Sequence, residues 1–106
     1  MAQHGLKQAA PPVSADAELA GRALARDAGA FRAIMQKHNR RLYRIARSIL
    51  RNNTEAEDAV QDAYVSAFTH LASYRGESTL ATWLSRIVMN EATAEAPYRR
   101  SGRSTK

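Results

Sequence analysis

Between Phe31 and Leu50 the apolar residues Phe31, Ile34, Met35, Leu42, Ile45, Ala46 and Ile49 recur at steps of three and four. Such steps return to one side of a helix at about 100° per residue, whereas a strand would place apolar residues at every second position. The opposite side of the same stretch collects Lys37, Arg40, Arg41, Arg44, Arg47 and Arg51 as a continuous basic stripe. A helix of this length must bury its apolar side against other elements. The stripe has two readings, a solvated face that keeps the helix soluble or a surface for a polyanion.

The rest of the chain offers this helix partners of its own kind. Asn52 and Asn53 punctuate the sequence, and Thr54 with Glu57 has capping-box spacing, so a second long helix is predicted to start there. Its apolar side is Ala56, Ala59, Val60, Ala63, Tyr64, Ala67 and Leu71, with Phe68 at the edge, while Glu55, Glu57, Asp58 and Asp62 crowd the positive end of its dipole. Tyr74-Arg75-Gly76-Glu77-Ser78 breaks the pattern as a loop, with Ser78 a natural N-cap. A last helix follows on Leu80, Trp83, Leu84, Ile87 and Val88, and Pro97 predicts its end near Ala96. Upstream, a short helix from Ser14 or Asp16 carries Leu19, Ala20, Ala23 and Leu24 and ends around Asp27, which caps the next one. No strand pattern, repeat or heptad run appears. The expected architecture is all-α: a compact bundle of about four helices over 14–96, a flexible leader over 1–13 containing Gly5, Pro11 and Pro12, and a basic flexible tail over 97–106.

Composition narrows the function classes. One core fits 106 residues, and 0 Cys excludes disulfides and thiolate metal sites. No apolar stretch reaches the roughly 20 residues of a membrane span and the N-terminus has no apolar signal core, so a soluble cytoplasmic protein is expected. Sixteen Lys and Arg against 10 Asp and Glu favour a polyanionic partner. There is no phosphate-cradling glycine loop, no HExxH and no nucleophile elbow. His4, His38 and His70 are scattered, and His38 falls on the apolar side of its helix as a structural histidine. The helix dipole already accounts for Glu57, Asp58 and Asp62 at a helix start. No enzyme, metal or cofactor is therefore expected.

Three segments in register carry a resemblance: Ala56-Glu57-Asp58-Ala59-Val60-Gln61-Asp62-Ala63-Tyr64, Tyr74-Arg75-Gly76-Glu77-Ser78, and Thr82-Trp83-Leu84-Ser85-Arg86-Ile87 with Asn90. Together with Arg26–Phe31 and Leu42–Ala46, they closely resemble region 2 of the extracytoplasmic-function (ECF) bacterial sigma factors over roughly residues 16 to 92. The resemblance implies the family's region 2 fold and a role in transcription initiation. In the family the helix with the Ala-Glu-Asp-x-Val-Gln motif docks on the β′ clamp helices of core RNA polymerase, which implicates Asp58, Gln61, Asp62 and Ser66. The loop and following helix resemble the part that recognises and melts the promoter −10 element by capturing a flipped base as single strand. That implicates Tyr74, Arg75, Gly76, Glu77, Ser78, Thr79, Thr82, Trp83, Arg86 and Asn90. Trp83 is followed by Leu84 where housekeeping members carry two adjacent aromatics, which implies weaker melting and stricter promoter choice, although Trp83 also fits the apolar row. Family members are also regulated by anti-sigma factors. A complete member continues into a helix-turn-helix domain that reads the −35 element, and no such segment follows in this sequence. Two other classes stay open: a general basic nucleic-acid-binding module working through the arginine stripe, and a protein-binding adaptor working through the acidic helix.

Overall fold

The computed structural model describes residues 12–104 of the chain, with side chains described over 15–94. Residues 1–11 of the expected leader lie outside the described residues, and Pro12 and Val13 are helical where the leader was expected. Four helices follow in order: α1 Pro12–Leu24, α2 Ala28–Leu50, α3 Asn53–Thr69 and α4 Leu80–Ser104, with a single 3-10 turn, Leu71–Ser73, between α3 and α4. No strand occurs among the described residues, and no helix there is long and apolar enough to cross a membrane.

α2, α3 and α4 pack on one another, and α1 lies chiefly along α2 while touching α4 and the 3-10 turn. The shared core holds Ile34, Leu42, Leu71, Leu80, Leu84 and Val88, all essentially inaccessible. Each such side chain contributes about 1.5–3 kcal/mol by leaving water. α3 brings Ala56, Ala59, Ala63 and Ala67 to the same core, and these small residues let its backbone come close to its neighbours. Aromatic rings close the α2–α3 seam: Phe31 meets Phe68 edge-on at 4.7 Å, and Phe68 stacks on Tyr64 at 5.7 Å. The Tyr64 hydroxyl donates to Asn39 Oδ1 at 2.7 Å, and burial pushes its pKa up to about 12.

The helix starts follow capping chemistry. Asp27 caps α2 as expected, its carboxylate accepting from the Gly29 N–H at 2.9 Å and held by Arg22 at 3.0 Å. The hydrogen bond from Arg22, with the Gly29 and Ala30 N–H groups adding, holds the Asp27 carboxyl below its ordinary pKa. Four boundaries differ from expectation. α1 begins at Pro12, inside the expected leader and ahead of Ser14 or Asp16, since a proline fits the first turn of a helix. α3 begins two residues earlier than the Thr54 and Glu57 pair implied, because Asn52 sits in extended backbone and its side chain accepts from the Glu55 N–H at 2.9 Å. The cap of α4 is Thr79 and not Ser78, since Thr79 Oγ1 accepts from the Thr82 N–H at 3.1 Å. α4 also runs through Pro97 to Ser104. A proline in a helix removes one backbone bond and crowds the preceding turn, which penalises a helix without forbidding it, and no glycine follows until Gly102. Leu24, expected on the apolar side of α1, is 50% exposed because α1 buries Ala20 and Ala23 instead.

Candidate nucleic-acid interface

The residues from Tyr74 to Arg86 converge where the loop enters α4. Gly76 takes φ 77°, a left-handed conformation that lets the loop reverse. The Tyr74 hydroxyl then reaches across the turn to donate to the Ser78 carbonyl at 2.6 Å. Its ring lies 5.2 Å from that of Trp83 at a tilt of 51°. Burial, with the nearby Asp16 charge adding, raises the Tyr74 pKa.

The result is an open cleft of about 460 Å³ lined by Ser73, Tyr74, Arg75, Glu77, Ser78, Trp83 and Arg86. Six of these were singled out from the sequence, while Ser73 was not. Gly76 shapes the loop without lining the cleft, and Thr79 and Thr82 are engaged with each other, hydroxyl to hydroxyl at 3.1 Å. Asn90 lies exposed one helical turn beyond Arg86, outside the cleft. Trp83 serves both roles considered for it, because it packs against the core and still forms a cleft wall. Leu84, its neighbour, is fully buried and offers no face to a ligand.

The cleft owes its position to a residue that sequence reading did not single out as functional. Asp16 of α1 is 4% exposed, and its Oδ2 accepts from the Leu80 N–H at 2.8 Å, the first amide of α4. Its Oδ1 lies 3.8 Å from Lys37 Nζ. A carboxylate at the positive end of a helix dipole is well placed, and this one pins the start of α4 to α1 and α2. Further along α4, Arg41 Nε donates to Ser85 Oγ at 3.2 Å.

The four residues implicated in protein docking lie apart from this cleft, on α3. Gln61 and Asp62 are exposed, and Asp58 and Ser66 are partly so. Between them Val65 stands 67% exposed, one apolar residue on an otherwise polar face. The sequence carried a signal for it, since Val65 falls opposite the alanine row at helical spacing. Gln61 also borders a groove of about 410 Å³ between α2 and α3, with Asn39, Tyr43, Glu57 and Tyr64.

The chemistry these groups offer is recognition. Aromatic faces stack on unpaired bases at about 1–3 kcal/mol each, guanidinium groups hold phosphates, and carboxylate and hydroxyl groups hydrogen-bond the edges of a base.

Comparison with known proteins places the chain in a family. Residues 34–103 match the family described as sigma-70 region 2, which is more than half the chain. The ECF RNA polymerase sigma factor SigM of Mycobacterium tuberculosis is 41% identical over 75 residues, covering 71% of this chain and 38% of that protein. The RNA polymerase sigma-H factor of Pseudomonas aeruginosa is 31% identical over 77 residues, 73% of this chain and 40% of its own. The sigma factor CnrH of Cupriavidus metallidurans is 32% identical over 89 residues, 84% of this chain and 47% of its own. The chain thus spans less than half the length of these curated relatives. No solved structure matched. The matched span contains α3, the loop and the head of α4, so the exposed face of α3 and the cleft both lie within it, and the chain belongs to the sigma-70 region 2 family, in its ECF branch.

Proposed function

We propose that the chain works in transcription initiation as a sigma-type promoter-binding domain. The cleft at the head of α4 takes an unstacked base of the −10 element from the non-template strand. Tyr74 and Trp83 supply stacking faces, Glu77 and Ser78 supply hydrogen bonds, and Arg75 and Arg86 hold the flanking phosphates. Thr79, Thr82 and Asn90 lie along the path of the strand beside them. Opening duplex costs only a few kcal/mol per base, so binding energy can drive it and the reading needs neither catalysis nor a cofactor. The exposed face of α3, with Asp58, Gln61, Asp62 and Ser66, docks on the β′ clamp helices of core RNA polymerase. The domain then acts in the cytoplasm, where polymerase works.

The observation that carries this reading is the convergence of six residues implicated by the resemblance, from two separate segments, on one cleft. Trp83 is the single tryptophan of the chain, so its fluorescence reports on the cleft directly. Titration with short single strands that differ at one central base should quench or shift that emission, with an affinity that depends on the base and exceeds that for the matching duplex. Equal response to every base and to duplex would remove the base-capture reading.

A further inference from the structure

A second surface lies on the outer side of α2. α2 carries Arg32, Lys37, Arg40, Arg41, Arg44 and Arg47 over Ala28–Leu50 without one Asp or Glu. A face that served only to keep a helix soluble gains from interleaved acids, because like charges three and four residues apart repel. Here Arg40, Arg44, Arg47 and Arg51 follow one another at those separations, all exposed. No ion pair between described residues involves any of the four.

The four arginines line one open cleft of about 610 Å³ with Tyr43 and Ser48. Two further features hold the arginines in this arrangement. Asn53 Oδ1 accepts from both Tyr43 Oη at 2.9 Å and Arg47 Nε at 2.8 Å, which fixes the middle of the row to the start of α3. Arg51 takes φ 60° at the end of α2, a left-handed position where glycine is the usual residue. A glycine there would end the helix with less strain but leave the row one guanidinium shorter.

We propose that this face is a sequence-independent site for the phosphate backbone of duplex DNA, separate from the base-capturing cleft. At 1.5 Å per residue, Arg40 to Arg51 spans about 16 Å, which matches about five nucleotides of one strand at 3.4 Å each. The planar guanidinium fork suits phosphate oxygens better than a lysine ammonium does. The inference does not rest on base capture by Tyr74 and Trp83.

The test is the salt dependence of binding to a fully paired duplex of mixed sequence, read by fluorescence anisotropy with the whole chain. Arg40→Gln with Arg44→Gln leaves Arg47 and the Arg51 cap in place and keeps helix propensity nearly constant. Arg26→Gln with Arg32→Gln removes the same charge elsewhere. The first double variant should lower the slope of log affinity against log salt by about 1.8, at about 0.9 per phosphate contact, so wild type loses about tenfold more affinity than the variant between 50 and 200 mM salt. The control pair should leave the slope close to wild type. Equal slopes in all three proteins, or equal losses in both variants, would overturn the proposal. So would binding of polyglutamate that is tighter than duplex and is alone lost in the Arg40 and Arg44 variant, an outcome that assigns the face to an acidic protein. Because the duplex exposes no single strand, failure of the Trp83 titration leaves this outcome unaffected.

Discussion

The outer face of α3 and the cleft at the head of α4 both point to solvent, but the first is made by local structure and the second by tertiary structure. Asp58, Gln61, Asp62 and Val65 take their places because a helix repeats every 3.6 residues, and alanines bury the other side. The cleft needs Gly76 to turn the chain, Tyr74 to bridge to Ser78, and Asp16, 64 residues away, to hold the first amide of α4. A helix face should therefore survive local damage that dismantles the cleft. A single disturbance of the shared core should harm both.

The largest expected effect is one that erases this contrast. Leu84 is fully buried among α2, α3 and α4, and Leu84→Ala should cost about 2–5 kcal/mol. Thermal or urea unfolding would measure it, and the two surfaces should lose binding together as the folded fraction falls. Asp16→Ala comes next and should separate the surfaces. It leaves the buried Leu80 N–H without its acceptor, a loss of about 1–3 kcal/mol, while Asp16→Asn keeps an acceptor and should recover most of it. Single-strand binding should weaken in the alanine variant under conditions where the protein remains folded and docking through α3 is intact. Equal loss at both surfaces would mean that Asp16 supports the fold in general and not the cleft. Tyr74→Phe removes only the bond to the Ser78 carbonyl. About 0.5–1.5 kcal/mol of stability should go, with stacking on Trp83 retained and base discrimination reduced.

How far these surfaces could be read from the sequence follows the same division. The apolar faces of α2 and α3, the loop at Gly76 and the Asp27 cap were legible because each depends on residues within a turn or two. Asp16 was not, since nothing near it in sequence says that it will meet Leu80. Nor was the cap of α3: Asn52, Asn53 and Thr54 are all competent caps, and the choice fell to Asn52 once Asn53 Oδ1 engaged Tyr43 and Arg47. Val65 was visible in principle, but one apolar residue on a polar face draws notice only when its neighbours carry a role. The continuation of α4 through Pro97 shows that a proline weighs against a helix without deciding its end.

The smallest effect concerns pH. His38 is 4% exposed and its Nε2 has no hydrogen-bond partner among the described residues. Burial, reinforced by Lys37 and Arg41 and partly offset by Asp16, holds its pKa below the ordinary histidine value. Well above about 6.5 the ring is neutral in both folded and unfolded chains. As pH falls through that value the unfolded chain takes up a proton that the folded chain resists, so stability declines until the lower folded pKa is passed. Melting temperature measured from pH 7.5 to 5 should fall more steeply in wild type than in His38→Gln. Parallel curves would show that His38 does not couple to folding. The drop should reach both surfaces alike, since it acts on the bundle that carries them.

The proposed role in initiation requires that α3 present a face for polymerase. The most direct measurement is titration of the labelled chain with a purified β′ clamp-helix fragment, comparing wild type with Asp58→Arg and Asp62→Arg, each checked for helix content by circular dichroism. The account predicts saturable binding by wild type that both folded variants lose. A folded wild type that fails to bind at about 100 μM, or around −5.5 kcal/mol, or folded variants that bind as well as wild type, would contradict it.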